Sequence, residues 1–256
     1  LALKMDTAEL RDAGYMEREF DREETGIILG RGTYVNRGYT NLMQHGMMVD
    51  QTMEVVQQVC PQLDEGMLAE LRQSLKDSLP PFTPEMSPGL VPNVVSGRIA
   101  NRLDLRGPNF IIDAACASSL IAIELAINEL LSGRSDMVLS GGVHASTPPQ
   151  IYMIFCQIAA MSRGKIRPFD TAASGTLLGE GLGILCLKRL ADAERDNDRI
   201  YAVIKGVGVA SDGKALGLLA PRLEGEVLAL QRAYESCGVD PATVDLSTVV
   251  LGTRMP

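Results

Sequence analysis

The chain reads as an α/β protein whose sheets are covered by layers of helix, and three observations predict this. Short apolar runs of strand length alternate with longer segments that place apolar residues at helical spacing. Both kinds of element are apolar on more than one side, which calls for cover on more than one side. Apolar residues form 46% of the 256 and charged residues 22%, enough for a large core and too little charge for global disorder.

In chain order, residues 1–13 read as the end of a helix. "TGIILGRG" (25–32) reads as a buried strand with a glycine turn. Residues 40–59 carry helical apolar spacing, stopped by Pro61. In 64–79, Leu68, Leu71, Leu75 and Leu79 share one helical face. "PPFTPEMSPGLVPN" (80–93) holds five of the thirteen prolines and reads as a loop before a helix near 92–103. Strand 109–114, helix 117–131 with Gly133 as its stop, and strand 136–141 follow. Helix 117–131 is apolar nearly all round and should lie between layers. A helix over 149–161 leads into a long glycine-bearing loop. Strands 182–190 and 199–211 flank a short helix at 189–195. The second of these strands alternates like one of an antiparallel pair. Helix 223–237 and strand 247–251 complete the pattern.

The net charge of −8 argues against nucleic acid as the main partner. No apolar run has membrane-spanning length and no signal peptide is visible, so a cytoplasmic, non-membrane protein is expected. The first residues lie inside a helix without a starting Met, and the last follow a strand. Both ends read as cuts in a longer protein. Five cysteines, odd in number, irregularly spaced and without CxxC, fit a reducing compartment and not a disulfide framework or a zinc site. Most of them, Cys156 and Cys186 included, read as small buried hydrophobes.

Cys116 is different. It stands where an apolar strand ends and an apolar helix begins, among Ala114, Ala115, Ala117, Ser118 and Ser119. A helix N-terminus offers unpaired N–H groups and a positive dipole end. Both favour the thiolate, which is the nucleophile, and the same N–H groups can hold an oxyanion. The corner thus has the parts for acyl transfer through a thioester, although a buried, inert cysteine is also compatible with the pattern.

"DAACASSLIAIELA" closely resembles the nucleophile motif of β-ketoacyl synthases, the condensing enzymes of fatty acid and polyketide assembly. "LVPNVVSGRIANRLDLRGPN" resembles the segment before it, and "RPFDTAASGTLLGEGLGILCLKRLADAERDNDRIYAVIKG" the segment after. "GRGTYVNRG" and "IYMIFCQIAAMS" are similar to iterative ketosynthases of polyunsaturated fatty acid and enediyne polyketide synthases. The resemblance implies a thiolase-like αβαβα fold, here incomplete. Its N-terminal half would run to about residue 190 and the start of its C-terminal half from about 200. It further implies a homodimer in which Cys116 accepts an acyl chain from an acyl carrier protein or coenzyme A thioester. A malonyl-type extender then loses CO2, and its enolate attacks the acyl-cysteine. No cofactor of the chain's own is implied, since the phosphopantetheine arm belongs to the carrier. Phe169 is implied to line the acyl channel, with a core phenylalanine as the other reading.

Family members also use two histidines, the first in an "HGTGTP"-like motif. Here "LGTRMP" (251–256) puts Leu251 at that place, and leucine handles no protons. A fragment with a corrupted end, a shortened homologue without condensing activity, and a replaced histidine all fit, and the first is favoured. The expectation is that this chain does not condense acyl groups alone. His45 and His144 read as surface or structural histidines. A cysteine hydrolase would need one of them beside Cys116, and a non-catalytic thiolase-fold subunit or chain-length factor is a further alternative. Gly179, Gly181 and Gly183 read as a glycine-lined active-site wall with close backbone passage. Arg98, Arg102 and Arg106, four apart, read as one basic helical face, more simply solvated than bound to a carrier.

Overall fold

The computed structural model describes residues 2–32, 37–168, 170–214, 217 and 220–244. In chain order its main elements are α1 (Ala2–Asp12), β1 (Thr25–Gly30), α2 (Arg37–Met43), α3 (Val49–Val59), α4 (Glu65–Asp77) and α5 (Ser87–Leu90). They continue with α6 (Val94–Leu103), β2 (Asn109–Ile112), α7 (Ser118–Leu131), β3 (Met137–His144), α8 (Pro149–Gln157), β4 (Gly181–Lys188), α9 (Leu190–Arg195) and α10 (Leu223–Cys237).

The strands form one sheet in the order β2-β1-β3-β4. β1 lies parallel to both neighbours, with Ile27 opposite Asn109 on β2 and Leu139 on β3. β4 returns antiparallel to β3, pairing Met137 with Lys188 and His144 with Gly181. A central strand between parallel neighbours is covered on both faces, and all six residues of β1 are buried. The strand period of two then sorts the core. Ile27, Leu29 and Leu139 meet Leu10 of α1 and Ile99 of α6 on one face. Ile28 and Val138 meet Ala122, Ala126 and Leu130 of α7 on the other. Burying each such aliphatic side chain contributes about 1.5–3 kcal/mol. The described residues thus stack as helix layer, sheet and helix layer, a layered α/β architecture.

Several expectations are corrected. Residues 40–59 are helical as read, but a π-helical turn at Gln44–Met48 joins α2 to α3 and breaks the regular spacing of their faces. Gly46, a poor helix former, sits in that turn. Helix α7 buries only the stripe Ser118, Ala122, Ala126 and Leu130. Its far side, with Leu120 at 53% and Leu131 at 75% exposure, is uncovered among the described residues. Residues 199–211 form no ladder with any described strand. A strand needs a partner for its N–H and C=O groups, and here this segment instead crosses α10. A side chain at Gly208 would fall 2.0 Å from the Ala229 carbonyl oxygen. Arg232 of α10 donates to the Val209 carbonyl at 2.6 Å. Arg106 lies beyond the end of α6, where Asp104 turns left-handed at φ 53°, so the three arginines share no helical face. Arg106 pairs with Glu23 and Asp104. Predicted strand 247–251, Leu251 and Phe169 lie outside the described residues. Among the described residues, no helix is long and apolar enough to cross a membrane.

Candidate active site

The end of β2 and the start of α7 make the corner. After Ile112, Ala115 takes φ +50°, a left-handed conformation that costs an L-residue roughly 1–2 kcal/mol. Local bonds hold it there. The Ala115 N–H donates to Asp113 Oδ1 at 2.9 Å, the Ala114 N–H donates to Ser118 Oγ at 2.9 Å, and Ser118 Oγ donates to the Ala115 carbonyl at 2.6 Å. A 3-10 turn, Ala115–Ala117, then leads into α7 with Cys116 at its centre. Cys116, the residue after left-handed Ala115, is exposed.

The adjoining strand ends are glycines for a steric reason. A Cβ on Gly30 would lie 2.3 Å from the Ser118 carbonyl carbon, and one on Gly142 would lie 2.7 Å from Ser119 Cβ. Only bare backbone lets β1 and β3 run under the first turn of α7.

Cys116 opens into a cavity of about 660 Å³. Ser119 and Ile123 line it from α7, Val143 and His144 from β3, and Leu182 and Leu185 from β4. Ile151 and Phe155, one turn apart on α8, line it together with Thr176, Leu178 and Gly179. Arg31 lines the mouth, and burial lowers its guanidinium pKa. The lining is mostly apolar, which suits an alkyl chain attached at sulfur.

Of the residues singled out in the sequence, Cys116, His144, Gly179, Gly181 and Gly183 meet at this cavity. The glycines do form its wall, but a Cβ on any of those three would meet nothing within 4 Å. They leave space and do not permit a close approach. The histidines part company. His144 shares the cavity, and its Nε2 is 2.8 Å from Thr147 Oγ1. His45 lies in the π-helical turn, with Nε2 2.9 Å from the Pro80 carbonyl oxygen. Of the remaining cysteines, Cys156 departs from expectation: it is exposed because it points away from the cavity on α8. Cys186 packs against the core as expected. Cys186 has its pKa pushed up to about 12 by burial, which keeps it an inert thiol. Reading the sequence missed Ile151 and Phe155, whose i, i+4 spacing was the available signal.

The family model "Beta-ketoacyl synthase, N-terminal domain" matches residues 1–193, and "Beta-ketoacyl synthase, C-terminal domain" matches residues 201–250. One subunit of the polyunsaturated fatty acid synthase of a Thraustochytrium species is 47% identical over 151 residues, 59% of this chain and 5% of the relative. Polyketide synthase PksN of Bacillus subtilis is 34% identical over 236 residues, 92% of this chain and 4% of the relative. The chain therefore spans a small part of these relatives. Among solved structures, a PfaC keto synthase–chain length factor superposes with a TM-score of 0.81 at 31% identity, over 95% of this chain and 25% of the other. A ketosynthase from module 6 of the bacillaene synthase of Bacillus subtilis gives a TM-score of 0.67 at 30% identity, over 92% and 34%.

Proposed function

The chain belongs to the β-ketoacyl synthase family, with a thiolase-like fold, and from that premise we propose that Cys116 is its acyl acceptor. The observation that carries this is the exposed thiol on a strained turn at the mouth of an apolar cavity. In the loading step, the Cys116 sulfur attacks the carbonyl carbon of an acyl thioester. The new S–C bond forms, the old C–S bond breaks, and the donor thiol departs with the proton. The Cys116 N–H, at the entry to α7, donates to the transient oxyanion. The donor is an acyl carrier protein or coenzyme A, which brings its own phosphopantetheine arm. The chain works as a homodimer in polyketide or polyunsaturated fatty acid assembly, with a domain division between residues 190 and 200.

Condensation with a malonyl-type extender needs groups to promote loss of CO2 and to hold the enolate. The chain has two histidines, of which only His144 lines the cavity. We therefore expect loading without condensation. The test is intact-protein mass spectrometry after incubation with an acyl-coenzyme A, wild type beside Cys116→Ala. An acyl adduct confined to the wild type is the expected result, and an adduct that persists in Cys116→Ala would sink the assignment.

The presence of His144 in the same cavity favours one second reading, a thiol hydrolase. The same experiment separates the two. A hydrolase releases free acid catalytically, whereas a loading site keeps a stoichiometric adduct.

A further inference from the structure

One wall of the Cys116 cavity is assembled from two segments tied side by side. Residues 175–180 run along α8 and its flanks, starting from a parallel bridge between Met161 and Thr176. At one end, the Ser162 N–H donates to the Thr176 carbonyl and the Thr176 N–H to the Ala160 carbonyl, each at 2.9 Å. Gly175 sits close enough that a Cβ there would fall 2.7 Å from the Ala160 carbonyl oxygen. In the middle, the Tyr152 hydroxyl donates to the Leu178 carbonyl at 3.1 Å. At the other end, the Thr147 N–H donates to Glu180 Oε1 at 2.8 Å. Thr176, Leu178 and Gly179 of this strap line the cavity, as do Ile151 and Phe155 of α8. Tyr152 and Glu180 do not line it.

The first tie is two backbone hydrogen bonds and fixes one end. The other two are single side-chain bonds made by exposed residues, in reach of competing water. We propose that Tyr152 and Glu180 are positioning residues that hold the strap against α8 and thereby set the size of the group the Cys116 cavity accepts. The inference rests on Cys116 loading acyl chains for its meaning, and on the ties alone for its geometry. With both ties closed, Leu178 stands against the Ile151–Phe155 face and limits the room beyond the sulfur. With one released, the strap backs away and a longer chain enters. Neither residue touches the reacting atoms, so chemistry at sulfur is left alone while selectivity moves.

N-alkylmaleimides test this without requiring acyl transfer. Alkylation of Cys116 by N-ethylmaleimide and by N-octylmaleimide is followed by peptide mass spectrometry in the wild type, Tyr152→Phe and Glu180→Ala. Tyr152→Phe removes the hydroxyl and keeps the ring. The octyl-to-ethyl rate ratio is expected to rise about fivefold, the scale of one net hydrogen bond, with the ethyl rate unchanged. Glu180→Ala is expected to shift the ratio in the same direction. An unchanged ratio in both variants overturns the proposal. So does a common change in both rates, or unfolding of both variants, since each marks a structural brace and not a selectivity element. Acyl-coenzyme A thioesters of increasing length then form the second arm. A wild type that takes maleimide at Cys116 but no acyl group refutes the loading function and leaves the strap geometry standing.

Discussion

The two ends of the β3–β4 ladder are built on opposite principles. At the His144–Gly181 end the strands open into the cavity, beside exposed Cys116, left-handed Ala115 and a run of glycines. At the Met137–Lys188 end the structure is saturated with charge. Lys188 Nζ donates to the Tyr15 hydroxyl at 2.6 Å and to Asp196 and Asp198, each at 2.7 Å. Arg18 adds a second cation on Asp198 and stacks over the Tyr15 ring. Arg189 ties the end of α7 to α9 by donating to the Leu130 and Ser135 carbonyls, each at 2.8 Å, and pairing with Asp136 and Asp192. The same ladder is anchored at one end so that it can carry strain and empty space at the other.

Three variants would break or sharpen that contrast. The largest effect is expected from Lys188→Met. It removes the ammonium shared by Tyr15, Asp196 and Asp198, leaves Arg18 as the remaining cation on Asp198, and should cost about 3 kcal/mol in urea unfolding. Maleimide alkylation of Cys116 in the folded protein should stay unchanged. A parallel loss of Cys116 reactivity would mean that the two ends are not separable. Lys188 and Arg18 lower the pKa of Asp198, and Arg195, followed by Lys188, brings that of Asp196 to about 2. Their stabilisation is complete above the ordinary aspartate pKa and disappears as pH falls towards 2.

Next comes Asp6, buried on α1 against the sheet with both carboxylate oxygens unpartnered among the described residues. Burial first, then the Glu9 charge, raises its pKa to about 7. The folded state thus holds a proton that the unfolded chain releases near pH 4. Stability should fall as pH rises from about 4 to about 7, by roughly 1.4 kcal/mol per unit. Asp6→Leu should remove that slope and gain on the order of 2–4 kcal/mol at pH 8. Denaturant titration across pH checks this, and an unaltered slope would contradict it. The smallest effect belongs to Ala115→Gly. It relieves the left-handed strain and loses some of the gain to glycine's chain entropy, leaving less than about 1 kcal/mol. A rise in melting temperature with slower Cys116 alkylation would show that the strain serves reactivity.

Local pattern carried much of this into view. The buried apolar run of β1 and the half-buried leucines of α4 follow directly from spacing, whereas the one-sided burial of α7 does not. Cys116 was legible because a strand-to-helix corner lined with small residues has a recognisable composition. What stayed hidden depends on partners distant in the chain. Residues 199–211 have strand-like alternation, but alternation cannot say whether a neighbouring strand is there to pair with. The exposure of Cys156 depends on which face α8 turns to the cavity. The ties from Tyr152 and Glu180 reach across the long glycine-bearing loop, whose course is set by packing and not by periodicity. Arg106 failed to extend a basic face because Asp104 ends the helix first.

The strand order has a consequence in time. β1 emerges early, fully apolar, yet both its neighbours come much later, at Asn109–Ile112 and Met137–His144. At roughly 5–20 residues per second, translation leaves that strand several seconds without a partner. The nascent chain thus spends that interval with β1 outside the ribosome, its edges unpaired and one face covered by no more of the described residues than α1. The helices between β1 and β2 can form on their own in the meantime. A chaperone that shields β1 until β3 arrives would do more for the yield of folded protein than any stabilisation of the finished sheet.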